Sequence, residues 1–159
     1  MTTHIAVIGM GYWGKNLVRN FFQIGALHSV CDNNYDVEKA IASQYRGVNF
    51  TTDYSRILSD DSIRAVVVAT PAETHHRIVR EALRAGKDVF VEKPLALEVH
   101  EGEQLVQTAK ENDRILMVGH ILQYHPAIIK LKQLVTNGEL GRIQYLYSTR
   151  VNMGKIRIE

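Results

Sequence analysis

Between His4 and Gly14 the chain reads HIAVIGMGYWG, and this stretch limits what the protein can fold into more than any other. Ile5, Ala6, Val7 and Ile8 form a short apolar run of the kind carried by a strand buried on both faces, and the run breaks at Gly9, Gly11 and Gly14. A G-x-G-x-x-G pattern at a strand end gives each glycine a physical task. Gly9 makes the tight turn, Gly11 lets a pyrophosphate approach the backbone, and Gly14 lets the following helix pack close to the strand. The helix N-terminus then faces the phosphates. From Trp13 the apolar residues Leu17, Val18, Phe21 and Phe22 recur at helical spacing, and after Gly25 the residues Leu27 to Cys31 predict a second strand. Asp32 closes that strand, where a carboxylate accepts hydrogen bonds from the adenosine ribose hydroxyls and repels a 2′-phosphate. Asn33 and Asn34 follow with no arginine beside them. The cofactor expected is therefore NAD rather than NADP. The glycine pattern alone also occurs in structural turns; the order strand, glycines, helix, strand, acidic residue points to a nucleotide site.

The rest of the chain continues the alternation. Val37, Ala40, Ile41 and Tyr45 predict a helix, Val48 to Phe50 a short strand, Tyr54 to Leu58 a short helix and Ala65 to Ala69 a buried strand ending at Thr70-Pro71. Ile78, Val79, Ala82 and Leu83 mark the next helix, and Asp88 to Val91 a strand ending at Glu92-Lys93-Pro94. A helix through Val99, Leu105, Val106 and Ala109 leads to a strand at Ile115 to Val118, ending at Gly119-His120. Pro126 opens a helix with Ile128, Leu131, Leu134 and Val135 on one face. Such alternation predicts an α/β fold, a doubly wound parallel sheet with helices on both faces. In such sheets ligands bind beyond the carboxyl ends of the strands, so the glycine loop, Asp32, Thr70-Pro71, Glu92-Lys93-Pro94 and Gly119-His120 should converge on one crevice. After Gly141 the character changes: Arg142 to Asn152 is β-branched and aromatic, with Ile143, Tyr145, Tyr147, Thr149 and Val151 on one side, and predicts a strand of an antiparallel sheet. The expected domains are residues 1–141 and the start of a second at 142–159, whose exposed strand edge would pair with another chain.

Composition narrows the partners. With 159 residues the chain can build one sizeable core. Its net charge of +2, from 19 basic and 17 acidic residues spread along the chain, gives no electrostatic case for nucleic acid or an acidic membrane surface, leaving a small molecule as the expected partner. Cys31 is the only cysteine, so no internal disulfide forms and its position in a buried strand predicts a core residue rather than a nucleophile. With no spanning run and no signal peptide, the expected location is cytoplasmic.

Lys93 leads the candidates for chemistry. At a strand's carboxyl end, fixed by Pro94 and close to a nicotinamide, it can hydrogen-bond a reacting hydroxyl; the alternative is a surface lysine paired with a carboxylate. Glu92 can contact the cofactor ribose or amide, or sit solvated at the strand end. His75 lies near the crevice and His76, about 100° round the helix, faces outward. His120 is a substrate or cofactor contact or a structural histidine. Tyr12 and Trp13 follow the second glycine, where Trp13 can wall the nicotinamide side; either can instead be packing. The histidines, His125 included, lack cysteine or carboxylate partners at ligand spacing, and no metal is expected.

GMGYWGKN, Ala69-Thr70-Pro71 with His75 four residues beyond the proline, Glu92-Lys93-Pro94-Leu95, Val118-Gly119-His120 and Gly138-Glu139-Leu140-Gly141 occur in order, and together they resemble the Gfo/Idh/MocA family of glucose-fructose oxidoreductase, inositol dehydrogenase and rhizopine catabolism proteins. Within it, GYWGKNLVRNF and GHILQYHPAI look most like members that oxidise C3 of UDP-N-acetylglucosaminuronic acid on the way to surface polysaccharides. The resemblance implies a Rossmann NAD-binding domain followed by a substrate and oligomerisation domain, of which only the first strand is expected here. It also implies a homo-oligomer, and an N-terminal fragment competent for cofactor binding. It gives Lys93 the catalytic contact to the hydroxyl being oxidised, a role completed in the family by a second-domain histidine with no counterpart in this chain. It places Gly9, Gly11, Tyr12, Trp13, Gly14, Asp32, Thr70, Pro71, His75, Glu92, Lys93 and Gln123 at the cofactor, Gln123 standing where many members carry arginine, and Lys93 with His120 at the substrate. A dehydrogenase of inositol or a free sugar, and a non-enzymatic NAD-binding module, are the alternatives.

Overall fold

The computed structural model describes residues 4–149 and 151. Within the compact unit Met1–His120 the elements run β1 (Ile5–Ile8), α1 (Gly14–Gln23), β2 (Leu27–Cys31), α2 (Asp36–Gln44), β3 (Asn49–Thr51), α3 (Tyr54–Leu58), β4 (Ala65–Val68), α4 (Ala72–Arg84), β5 (Asp88–Val91), α5 (Val99–Glu111) and β6 (Leu116–Val118). All five strand pairings are parallel and the spatial order is β3-β2-β1-β4-β5-β6. This is the doubly wound Rossmann order, with the strand direction of travel reversing between β1 and β4. The expected α/β alternation is present element by element.

Strand residues alternate between two cores, as side chains on a pleated strand must. Val7, Val30 and Val67 pack with Val18 of α1 and Ile41 of α2. Ala6, Ile8, Val66, Val68, Val89 and Val91 pack on the other face with residues of α4 and α5, among them Ile78, Val79, Leu83 and Leu105. Both faces of the central strands are dry, which is why these segments read as continuous apolar runs rather than alternating ones.

The carboxyl ends finish level. Ile8 pairs with Cys31 and with Val68, Cys31 with Thr51, Val68 with Val91, and Val91 with Val118. The ladder then runs one residue further. Gly9 N donates to Cys31 O (2.8 Å), Ala69 N to Ile8 O (2.8 Å), Glu92 N to Val68 O (2.9 Å) and Gly119 N to Val91 O (2.8 Å). The first residue of each functional loop is thus held by sheet hydrogen bonds.

Residues Ile121–Glu159 form a second compact unit. It contains a 3₁₀ turn at Ile121–Tyr124 and α6 (Pro126–Thr136), capped by His125, whose Nδ1 accepts from Ala127 N at 3.2 Å. Gly141, near which the sequence places its domain boundary, lies within this second unit. The strand expected over Arg142 to Asn152 does not appear in residues 142–149 or at Val151, and Arg150 and Asn152 lie outside the described residues. A strand needs a neighbouring ladder, and no strand lies beside this one among the described residues. Instead Ile143 and Leu146 share a groove of about 320 Å³ with Leu131 and Val135 of α6. Tyr145 and Tyr147 are both 86% exposed.

Two expectations follow from the packing. Leu83 is fully buried between α4 and the sheet, so Leu83→Ala should lower the unfolding free energy by about 2–5 kcal/mol, measured by urea denaturation; a loss of a few tenths would mean that α4 is not seated as described. Burial, and then the charges of Asp32 and Asp53, push the Cys31 thiol from 9.0 up to about 11. Because the folded value is the higher one, the stability contributed by the neutral thiol is complete below pH 9 and is lost as pH rises towards 11. Iodoacetamide at pH 8 should leave Cys31 unlabelled in the native chain and label it in urea.

Candidate functional site

The glycine loop is shaped by two close approaches. Gly9 has φ +95°, and a Cβ there would lie 2.7 Å from Ala69 O; a Cβ on Gly14 would lie 2.1 Å from Gly9 O. Only glycine at these positions lets β1, the turn and α1 come together. Gly11 is different, with no heavy atom within 4 Å of where its Cβ would be. Its backbone faces open space, as the approach of a pyrophosphate requires. Helix α1 begins after Trp13 with no side-chain cap and no acidic residue in its first turn, so its positive end is left uncompensated by side chains. Tyr12 and Trp13 are 77% and 41% exposed, which rules out core packing for either.

Asp32 lies across from this loop. Its Oδ2 accepts from Met10 N at 2.7 Å and its Oδ1 from Asn34 N at 2.9 Å, joining the glycine loop to the loop after β2 through one half-buried carboxylate. Each oxygen retains acceptor capacity. Gly9, Gly11 and Asp32 line a cavity of about 610 Å³ that extends to Thr70, Tyr54 and Arg77. No arginine is near Asp32 in the sequence, yet the fold brings Arg77 of α4 to the same cavity. Asp53 is there too, as the N-cap of α3, its Oδ1 accepting from Ser55 N at 2.9 Å. Hydrogen bonding from Ser55, its side chain first and then its backbone, holds the Asp53 carboxyl pKa below the ordinary value.

The loop after β4 is braced internally. Thr70 and Thr74 hydroxyl oxygens are 2.6 Å apart, and Thr74 Oγ1 donates to Pro71 O at 2.7 Å. His75 is only 1% exposed, and its two ring nitrogens lie 2.7 Å from Pro94 O and 2.9 Å from Thr70 O. Both nitrogens meet carbonyl oxygens of the chain, so His75, expected at the cofactor, ties the loops that follow β4 and β5. His76 does not face outward as expected: its Nδ1 lies 3.6 Å from Glu101 Oε1 of α5.

Beyond β5, Glu92 is buried and its Oε1 has no hydrogen-bond partner, so it is not a solvated strand-end residue. Gly119 leaves room for it, since a Cβ there would come within 3.0 Å of that oxygen. Lys93, the next residue, is exposed and makes no hydrogen bond or ion pair among the described residues, against the surface-pair alternative. Its peptide bond to Pro94 is cis. His120 is exposed at the end of β6 and its ring has no partner among the described residues. Gln123 lies exposed in the 3₁₀ turn of the second unit.

Sequence reading missed Asp53, Tyr54 and Arg77. Asp53 was within reach of the same strand-end logic that found Asp32, because it stands two residues past the end of β3. Arg77 carried no signal, being one of several basic residues on an amphipathic helix. The residues present suit a dinucleotide: an open backbone at Gly11, an uncapped helix start, acceptor-only carboxylates at the cavity and a buried Glu92 oxygen in want of a donor.

Residues 3–120 match the model of the Gfo/Idh/MocA oxidoreductase family's NAD-binding Rossmann fold. The 2,7-anhydro-N-acetylneuraminate hydratase of Mediterraneibacter gnavus is 30% identical over 149 residues, covering 94% of this chain and 40% of that protein. The UDP-N-acetylglucosamine 3-dehydrogenase of Acidithiobacillus ferrooxidans is 31% identical over 145 residues, covering 91% of this chain and 44% of its own length. The solved structure of GenD2 from gentamicin A biosynthesis, in complex with NAD, superposes with a TM-score of 0.79 at 32% identity, over 86% of this chain and 40% of that one. The chain thus spans about two fifths of the length of these relatives. With the sheet order, the glycine loop and the matched span in agreement, the chain belongs to the Gfo/Idh/MocA oxidoreductase family, whose NAD-binding Rossmann domain it carries.

Proposed function

We propose that this chain is the cofactor-binding part of a dehydrogenase that oxidises a sugar-nucleotide hydroxyl, C3 of UDP-N-acetylglucosaminuronic acid, and that it favours NAD over NADP. The observation that carries the reading is Lys93. It stands unpaired at the carboxyl edge of the sheet that also holds the glycine loop and Asp32. A lysine of that kind has its donors available for a substrate oxygen. When bound, NAD supplies the hydride acceptor, C4 of its nicotinamide.

The chain's own residues do the rest. The Gly11 backbone and the start of α1 receive the pyrophosphate, and Asp32 accepts from the adenosine ribose hydroxyls. Asp32 and Asp53 disfavour an added 2′-phosphate, Arg77 being already engaged with Tyr54. Glu92 takes a donor from the nicotinamide half through its free Oε1. Lys93 donates to the reacting hydroxyl and stabilises the negative charge that grows on its oxygen as the proton leaves. His120 holds another substrate hydroxyl. The sugar-nucleotide assignment draws on the likeness to a UDP-N-acetylglucosamine 3-dehydrogenase. The cytoplasm, where NAD is supplied, is the location that goes with this reading, and the whole protein is taken to be a homo-oligomer.

Fluorescence titration of the 159-residue chain should give tighter binding of NADH than of NADPH. Gly11→Val, which meets no protein atom, should fold normally and lose that binding. Equal affinity for both nucleotides would remove the NAD preference, and no binding to either would remove the cofactor role of the isolated chain. In the whole protein, Lys93→Ala should cut turnover by about 10²–10⁴-fold while NADH affinity changes little. A panel of UDP-uronic acids, free sugars and inositols tests the substrate: turnover confined to inositol or free sugars would replace the sugar nucleotide, and none on any substrate would favour a binding module.

A further inference from the structure

Beside the cavity, which Tyr54 and Arg77 line, two helices meet through three side chains. The Tyr54 hydroxyl, from α3, donates to Glu81 Oε2 of α4 at 2.8 Å and accepts from Arg77 Nη1 of the same helix. The Arg77 guanidinium carbon lies 5.5 Å from the centre of the Tyr54 ring. Arg77 and Glu81 are four residues apart and share a face of α4, so Tyr54 is held between them. Burial, and then Glu81, raise the Tyr54 pKa, which keeps the hydroxyl a donor to that carboxylate. An exposed arginine is ordinarily a mobile chain; this one is fixed against a ring.

We propose that Arg77, braced by Tyr54 and Glu81, is the surface on which the adenine base of the dinucleotide stacks. The inference rests on the cofactor reading above and extends it to the base. Gly11 and Asp32 hold the pyrophosphate and ribose at one end of the cavity, and the base attached to that ribose must occupy the remainder. Tyr54 and Arg77 line the same cavity as Gly11 and Asp32. A guanidinium is planar, delocalised and weakly hydrated, and it stacks on π systems where an ammonium cannot. Because Tyr54 already immobilises it, little side-chain freedom remains to be lost on binding. With Asp32 and Asp53 lining the same cavity, a flat neutral base is a better occupant than a second phosphate.

The test is titration of wild type, Arg77→Lys and Tyr54→Phe with NADH and NADPH, together with displacement of NADH by AMP, which carries the base, its ribose and one phosphate. Lysine keeps the charge and loses the plane, so Arg77→Lys should weaken NADH and AMP by about tenfold. Tyr54→Phe, which removes the brace and leaves the ring, should weaken both in the same direction by less. Affinities in Arg77→Lys equal to wild type would overturn the proposal, because Arg77 would then act as a point charge or not at all. NADPH bound more tightly than NADH by wild type, with that advantage lost in Tyr54→Phe, would overturn it in favour of a phosphate contact. Wild type that binds no NADH would instead overturn the cofactor reading on which the proposal stands. Coincident thermal melts establish that the variants fold; should Arg77→Lys melt early, Tyr54→Phe alone decides, weaker AMP displacement supporting the proposal and unchanged displacement overturning it.

Discussion

Six parallel strands that stop level with one another are the constraint on which the rest of the structure depends. Because Thr51, Cys31, Ile8, Val68, Val91 and Val118 are register partners in succession, the next residue of each strand enters its loop at the same height. The sheet hydrogen bonds that continue to Gly9, Ala69, Glu92 and Gly119 make those entries rigid. The glycine turn, Asp32 and Thr70 come from separate stretches of chain and line one cavity, and Glu92 and Lys93 leave the same edge of the sheet one strand further on. The buried valines have no chemistry of their own. Their contribution is to remove freedom from the residues that do.

The loops are then tied to one another above the sheet. Asp32 links the glycine loop to the loop after β2, and His75 links the loops after β4 and β5. These ties use groups that are also plausible ligands for a cofactor. In Asp32 the carboxylate has acceptor capacity left over, whereas both nitrogens of His75 are used. How many hydrogen-bonding sites each side chain keeps free after tying its neighbours is set by the fold and is not displayed by the sequence.

Most of the fold was legible because local signals agreed. Apolar runs of four or five residues closed by glycine, proline or a charged residue marked the strands, and helical spacing of Leu, Ile, Val and Ala marked the helices between them. What stayed hidden was set by long-range contacts. Arg77 and Tyr54 belong to different helices, 23 residues apart, and nothing in either segment announces the other. The burial of Glu92 depends on the bare Cα of Gly119 on the neighbouring strand. The segment after Gly141 has the composition of a strand, but a strand is a relation between two segments, and here Ile143 and Leu146 share a groove with α6 while Tyr145 and Tyr147 stay exposed. Local preference cannot supply a partner.

Asp32 carries a consequence for changing the nucleotide this domain accepts. On the proposed reading a phosphate-tolerant site needs the charge at that position removed, yet the same two oxygens hold the amides of Met10 and Asn34. Replacing Asp32 by a neutral residue with fewer acceptors would loosen the glycine loop in the act of relaxing its selectivity. On the proposed preference for NAD, selectivity and loop rigidity meet in one side chain, so a change of nucleotide would need a new anchor for Met10 before, or together with, the loss of the carboxylate.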